Sequence, residues 1–350
     1  MSNAEEDVEK EKLLGEINSI ENEINSIEAR LDEPFKTFSY IDSMSTSLPA
    51  RLKAIRDRGY IFKAYLDKQV SEIFDKWNKV REDYKNKIDY MIRDYRFKIA
   101  GLKDRCRDIR RNIEDGYKPY TQLSLLRSEA EGLKEIIKRS VESILTGLKE
   151  IDRVVRNIDI EISVAERALN EISKASFKLY EDENIVECFD AKLLDKEKRK
   201  GIIYFTDRRF LFEGFKEIVL EKKFFIVTKK KIVRETLVNV PIGYIDNIAS
   251  GKVGFWARKG IYVNFKQGPY KQLVFDLKDH IIPRVIKTFN YIISGEIDRD
   301  KVAKTEKKPE EGEKIPIVIK CPECGAPIKR EIYRGEKTIK CEYCGAVIRL

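Results

Sequence analysis

From Leu13 to Leu31 the apolar residues fall at alternating steps of four and three: Leu13, Ile17, Ile20, Ile24, Ile27 and Leu31. That is the a/d seam of a coiled-coil helix, and Pro34 stops it, which bounds a first segment at residues 1–34. Residues 35–49 lack the period and read as a loop. A second helical run extends from about Ala50 to Asp115, its stripe passing through Leu52, Ile55, Phe62, Leu66, Ile73 and Trp77 to Ile113. The mean spacing is nearer 3.6 than 3.5, which predicts a rod straighter than a strict heptad coil. Gly116-Tyr-Lys-Pro119 reads as a turn, and a return helix from about Tyr120 to Ala175 runs from Leu123 to Ile172 on its apolar face. Joined by so short a turn, the two must lie antiparallel, so residues 50–176 predict a helical hairpin roughly 80–100 Å long at 1.5 Å per residue. A two-helix hairpin buries one stripe per helix. The first helix or a second subunit must cover what remains; the expectation is a homodimer through the coiled coil, and the alternative is a self-contained three-helix bundle.

From Asn184 the period changes to two and aromatic residues become frequent. Candidate strands are Ile185–Leu194, Gly201–Phe205, Arg209–Glu213, Lys216–Val227, Lys231–Val240, Ile245–Ala249, Gly260–Lys266 and Lys271–Leu277. A final amphipathic helix, about Lys278 to Ser294, aligns Ile281, Ile282, Val285, Ile286, Phe289, Ile292 and Ile293 on one face. Residues 295–314 have almost no apolar content and read as a charged linker to the last segment, 315–350. The fold class expected is multidomain α + β.

Charge is abundant, 37% of the chain, and the net of +9 is unevenly placed. Residues 1–50 carry 4 Lys and Arg against 12 Asp and Glu; residues 51–111 carry 19 against 10, and residues 201–294 carry 17 against 8. Two basic zones beside an acidic N-terminus point to a polyanionic partner, and the bland alternative is a surface dense in charge throughout. Enrichment in Lys and Glu is the composition reported for hyperthermophiles, which points to a hot-living, archaeal source. The Glu/Lys-rich start and the lack of any run of eighteen apolar residues exclude a secretory signal and a membrane span, so the expected compartment is the cytoplasm.

Cysteine spacing carries the sharpest chemistry. Cys321-Pro-Glu-Cys324-Gly is followed, after sixteen intervening residues, by Cys341-Glu-Tyr-Cys344-Gly. Two residues between cysteines let a tight turn aim both sulfurs at one metal, and four thiolates complete a tetrahedron. Gly325 and Gly345 stand where each knuckle needs a left-handed residue. A pair of redox disulfides is the competing reading, and it explains neither the doubled knuckle nor the glycines. The segment resembles the zinc-ribbon family, over the last tenth of the chain. That resemblance implies one structural Zn2+ held by Cys321, Cys324, Cys341 and Cys344, and a module that contacts nucleic acid or protein. Ile315–Lys320 and Thr338–Lys340 read as strands leading into the knuckles. Cys106 and Cys188 read as small buried residues.

A second resemblance covers about 110 residues. Phe189-Asp-Ala-Lys-Leu-Leu, Gly201-Ile-Ile-Tyr-Phe-Thr-Asp-Arg-Arg-Phe-Leu-Phe and Val240-Pro-Ile-Gly-Tyr-Ile-Asp-Asn-Ile resemble the strands of GRAM-type domains of the pleckstrin-homology (PH) class. The resemblance implies a PH-like β-barrel over 184–294, closed by the C-terminal helix, that binds lipid headgroups in some members and proteins in others. Residues 215–236 are longer than the family pattern.

No phosphate loop, dinucleotide fingerprint or nucleophile elbow is present, and the one histidine, His280, sits at the start of the closing helix. The expectation is a protein without enzymatic activity or a small-molecule substrate. Candidate contacts to an anionic partner are Arg107, Arg110 and Arg111 at the hairpin tip, Lys222, Lys223, Lys229, Lys230 and Lys231 in the stretch 215–236, Trp256, Arg258 and Lys259 in a glycine-rich loop, and Lys329, Arg330 and Arg334 between the cysteine pairs. Trp256 among cations suits stacking on a base or insertion at a lipid interface. The leading expectation is contact with RNA or a ribonucleoprotein, such as a ribosomal particle whose subunits it bridges or blocks. The alternatives are a scaffold on an anionic membrane surface, with the PH-like domain facing lipid, and a purely protein-binding adaptor.

Overall fold

The structure is a computed structural model that describes residues 3–195, 198–223, 226–254, 258–302, 320–328 and 332–349; the side chains of 3–5 and 218–231 lie outside the description. It comprises two compact units, residues 1–50 with 68–159, and residues 51–67 with 160–350.

The first unit is helical. Helices α1 (Asn3–Arg30), α2 (Glu33–Asp57), α3 (Tyr65–Glu114) and α4 (Tyr120–Ile172) supply its segments. The seam from Leu13 to Leu31 is buried along its whole length, against α3 between Met91 and Ile113 and α4 between Leu123 and Val141. The stripe that a helical hairpin would leave open is therefore covered by the chain's own first helix. Residues 35–49, expected as a loop, are helical instead. Phe38, Ile41, Ser45, Leu48, Leu52 and Ile55 are buried at steps of three and four, so a seam does continue; Ser45 in a core position hides it from hydropathy. Pro34 stands in the first turn of α2, where its missing N–H costs nothing. Trp77 packs on Phe38 at 5.2 Å between ring centroids and donates its indole N–H to Asp42 at 2.9 Å, tying α3 to α2.

The helix expected from Ala50 to Asp115 is interrupted at residues 58–64. Gly59 and Lys63 take positive φ angles of 89° and 58°, and the chain reverses between α2 and α3. Arg56 holds the reversal, donating to the carbonyls of Tyr60, Phe62 and Lys63 at 2.7, 2.7 and 3.0 Å and to Asp67 at 2.6 Å. Phe62 falls on the helical period and is fully buried, but in the turn, which is why the two helices read as one.

In the second unit seven antiparallel strands form one sheet: β1 (Ile185–Leu193), β2 (Lys200–Thr206), β3 (Arg209–Lys223), β4 (Ile226–Pro241), β5 (Ile245–Val253), β6 (Arg258–Phe265) and β7 (Gln272–Asp276), in the order β4-β3-β2-β1-β7-β6-β5. Helix α5 (Ile282–Ile293) buries Ile282, Val285, Phe289 and Ile292, as its expected apolar face requires. Edge-to-face contacts from Phe189 through Phe205 and Phe210 to Phe275 run through the core at 5.3–6.1 Å. Every residue of β2 after Lys200 is buried, as in a strand covered on both faces. Two expected strands, Arg209–Glu213 and Lys216–Val227, share one continuous β3: Gly214 lies in register between Gly201 and Glu235 rather than in a turn. Beyond Gly214, β3 pairs with β4 alone, from Phe215↔Arg234 to Lys223↔Ile226, a two-stranded arm of about 30 Å at 3.4 Å per residue.

The linker expected at 295–314 is partly structured. Helix α6 (Glu296–Arg299) buries Ile297, and the following residues pair with the reversal before α3: Ala64 N–H donates to Asp300 at 3.3 Å and Val302 N–H to Ile61 at 2.8 Å. Backbone pairing and one buried isoleucine order a stretch that its polar composition disguises. Residues 303–314 lie outside the described residues, as do 315–319 of the strand expected at Ile315–Lys320. Strands β8 (Thr338–Lys340) and β9 (Val347–Arg349) pair to complete the C-terminal segment.

Candidate metal centre

Two knuckles with matching backbone geometry present the cysteines. Gly325 N–H donates to the Cys321 carbonyl at 2.8 Å and Gly345 N–H to the Cys341 carbonyl at 3.0 Å; both glycines take positive φ, 71° and 76°. Cys321 N–H donates to Ala326 at 2.7 Å and Cys341 N–H to Ala346 at 2.8 Å, closing the two turns alike. All four sulfurs lie within 4.8 Å of one another, and the Cys321–Cys344 and Cys324–Cys341 pairs stand at 3.7 Å. A tetrahedral ion with bonds of about 2.3 Å to sulfur sets neighbouring sulfurs about 3.8 Å apart, so the four fit one metal ion. A disulfide needs about 2.05 Å, and the closest sulfurs belong to different knuckles.

The knuckle amides act on the sulfurs directly. N–H groups of Cys344 and Tyr343 pull the Cys341 thiol down to about 6. At Cys324 the Ala326 N–H pulls the same way, but the neighbouring thiols, Cys344 first, outweigh it and push the group up to about 12. A bound cation would take up the charge of the deprotonated sulfurs. Cys106 and Cys188 are elsewhere and buried, and burial raises their thiols to about 11 and about 12.

Between the cysteine pairs the chain reaches the sheet. Arg334 donates through Nε to the Asp207 carbonyl at 2.7 Å and through both terminal nitrogens to the Asp298 carboxylate at 2.7 and 3.2 Å. Gly243 N–H donates to the Arg334 carbonyl at 2.9 Å. Tyr244 donates its hydroxyl to Glu336 at 2.7 Å and meets the Tyr333 ring edge-on at 5.7 Å. Two glycines permit the approach. A side chain on Gly243 would lie 2.5 Å from the Arg334 nitrogen, and one on Gly335, at φ +91°, only 1.8 Å from the Arg208 carbonyl oxygen. Burial alone would raise the Asp298 carboxyl, but hydrogen bonds from Arg334 and Lys301 hold it below its ordinary value. None of Asp207, Gly243, Tyr244 or Asp298 carries a linear signal for this dock, because their partner lies at the far end of the chain.

The remaining candidate residues are dispersed. At the bundle tip Arg110 donates to Glu21 at 2.6 Å and to Asn18 at 2.7 Å, Arg107 pairs with Asp104, and Arg111 is exposed. Nearby, Lys103 meets Glu28 at 2.5 Å and Lys134 meets Glu23 at 2.5 Å. The acidic first helix thus faces the basic hairpin. Arg258 and Lys259 are exposed at the start of β6, and Lys259 stands 3.8 Å from Asp279. Trp256, Lys329 and Arg330 lie outside the described residues, as do the side chains of Lys222, Lys223, Lys229, Lys230 and Lys231, whose backbones belong to the arm. Among the described residues no helix is long and apolar enough to cross a membrane.

No family model matches the chain, and no curated protein does. Solved structures similar to it include the N-terminal PH domain of Vps36, at 10% identity over 33% of this chain and 86% of that one, with a TM-score of 0.22. The linker-DH/PH domains of p115-RhoGEF match at 10% identity over 83% and 98%, with a TM-score of 0.24. Autoinhibited Vav1 matches at 12% identity over 100% and 67%, with a TM-score of 0.26. At such scores none of these likenesses bears on function.

Proposed function

We propose that the chain is a non-enzymatic scaffold in which a helical bundle carries a PH-like domain of GRAM type and a zinc ribbon, and that the sheet domain engages an anionic membrane surface. The observation that carries this reading is the cluster of exposed cations at one end of the sheet. Arg110 and Arg334, expected to face a partner, are turned to Glu21 and Asp298. At the opposite end of the sheet from the Arg334 dock, Gly254 after β5 lies near Leu194 after β1, and Lys198, Lys200, Lys252, Arg258 and Lys259 are exposed there. The β3–β4 arm leaves from the same end, and its sequence sets Phe224-Phe225-Ile226-Val227 between lysines, as the neighbouring loop sets Trp256 among Lys252, Arg258 and Lys259. Aromatic and apolar residues flanked by lysines suit an interface of headgroups and acyl chains. The ion we assign to the four cysteines is one structural zinc, because four sulfurs so placed would fill every position of a tetrahedral site and leave none open for water.

Vesicle flotation tests the reading. The full chain is expected to float with vesicles containing phosphatidylserine and not with neutral ones, and to be released by salt. Replacing Lys252, Arg258 and Lys259 together with glutamine removes about 1 kcal/mol per cation near the surface, so binding should fall roughly a hundredfold. Reversal of Arg107, Arg110 and Arg111 should leave it unchanged. Co-sedimentation with ribosomal particles without flotation would return the function to RNA, and binding to neither would leave a protein-binding adaptor.

A further inference from the structure

Between the second and third cysteines, Tyr333–Glu336 touch the sheet and β8 leads back to the metal centre. Sixteen residues separate Cys324 from Cys341, so a metal bound by both pairs closes the base of this excursion. Closing a loop removes conformations in which its apex is far from the sheet. At that apex Arg334 makes three hydrogen bonds to groups on the sheet unit, and Gly243 returns one to its carbonyl. The contact surface on the sheet, formed by the β2–β3 turn at Asp207 and Arg208, the β4–β5 turn at Gly243 and Tyr244, and Asp298, is shaped for this loop to within the space of a methyl group.

We propose that metal occupancy of the four cysteines and docking of the Tyr333–Glu336 loop on the sheet are one linked equilibrium, with Arg334 as the coupling residue. The proposal rests on the zinc reading above. When the metal leaves, the loop gains freedom, the dock opens, and Asp207, Tyr244 and Asp298 are uncovered at the end of the sheet that carries the β2–β3 and β4–β5 turns. Linkage is reciprocal: metal strengthens the dock by the same factor by which the dock strengthens metal binding, so a variant that cannot dock should lose metal affinity by up to that factor. The ribbon then reports the metal and thiol state of its cysteines to the domain that carries it.

Two measurements on the full chain test this. Amide hydrogen exchange at Gly243 reads the dock, because its N–H donates to Arg334; the N–H of Phe265, bonded to Lys271 within the sheet, serves as reference. Chelation of zinc should unprotect Gly243 and leave Phe265 protected. Zinc affinity, measured by competition with a chromophoric chelator, should fall about tenfold in Arg334→Ala and in Asp298→Asn, within the 5–150-fold range usual for coupled sites. The double variant should fall no further, and Arg349→Ala, an exposed ribbon cation away from the dock, should bind zinc as the parent does. Equal protection of Gly243 with and without metal would overturn the linkage, as would equal zinc affinity in Arg334→Ala and Arg349→Ala. Failure of the parent chain to take up one zinc is a separate result, and it would remove the metal reading together with the coupling built on it.

Discussion

The bundle and the sheet unit both set opposite charges against each other, but at different depths. In the bundle the pairs are open to water: Arg96 with Asp32 is 55% and 46% exposed, and Lys103 with Glu28 is 38% and 41% exposed. In the sheet unit Arg209 and Glu183 are 4% and 0% exposed, joined by three hydrogen bonds, with Thr206 also donating to Glu183 at 2.6 Å and Arg209 lying 4.0 Å over the Tyr180 ring. The bundle can lose its pairs and keep its seam. A buried pair has no water to fall back on, so its two members stabilise the fold only together. The same residue types thus set register and solubility in one unit and hold the core in the other.

The sharpest way to break that contrast is at the buried pair. Glu183→Ala leaves Arg209 charged and buried, and should cost about 3–5 kcal/mol in chemical denaturation of the sheet unit. Adding Arg209→Met should recover most of the loss, because the stranded charge is then gone. No recovery in the double variant would show that the hydrogen bonds of Glu183 to Thr206 and the Tyr180 N–H, rather than the ion pair, carry the stability.

Acid gives an intermediate effect. Burial alone would raise the Glu161 carboxyl, but Lys63 and Arg284 together hold it below its ordinary value, as Arg334 and Lys301 do for Asp298. A depressed carboxyl contributes stability that is present above its unfolded value and lost as pH falls through its folded one. The sheet unit should therefore lose stability progressively as pH drops below about 4.3, the ordinary glutamate value. Thermal melts from pH 6 to pH 3, followed by tyrosine fluorescence, read this; Lys63→Met, which removes one partner of Glu161, should flatten the slope.

Legibility in the sequence follows the same division between local and distant partners. Seams survived as patterns because burial in a helix repeats every few residues, and Leu13–Leu31 is buried as its spacing demands. Where one polar residue interrupts the pattern, as Ser45 does in α2, a helix reads as a loop; where an apolar residue falls on the period in a turn, as Phe62 does, two helices read as one. The knuckles were legible because ligand, spacing and glycine lie within five residues of each other. The dock was not, since Arg334 and Asp207 are 127 positions apart and each looks like an ordinary surface charge. The basic zone at the hairpin tip shows the same limit: its intramolecular partner, the acidic first helix, is recognisable only once the helices are laid side by side.

The smallest expected effect tests whether the bundle's pairs are as dispensable as their exposure implies. Asp32 stands at the break between α1 and α2, where its carbonyl accepts the Lys36 N–H at 3.0 Å and its side chain receives Arg96 at 2.9 Å. If the pair acts as an ordinary surface contact, a double-mutant cycle with Arg96→Ala and Asp32→Asn should give a coupling of about 0.2–1 kcal/mol. Salt at 1 M should reduce it further, because the Debye length then falls to about 3 Å. A coupling above about 2 kcal/mol that survives salt would mean that Arg96 holds the junction of the two helices in place. The bundle would then depend, at that one point, on a charge pair as the sheet unit does, and the contrast between the two units would be one of degree.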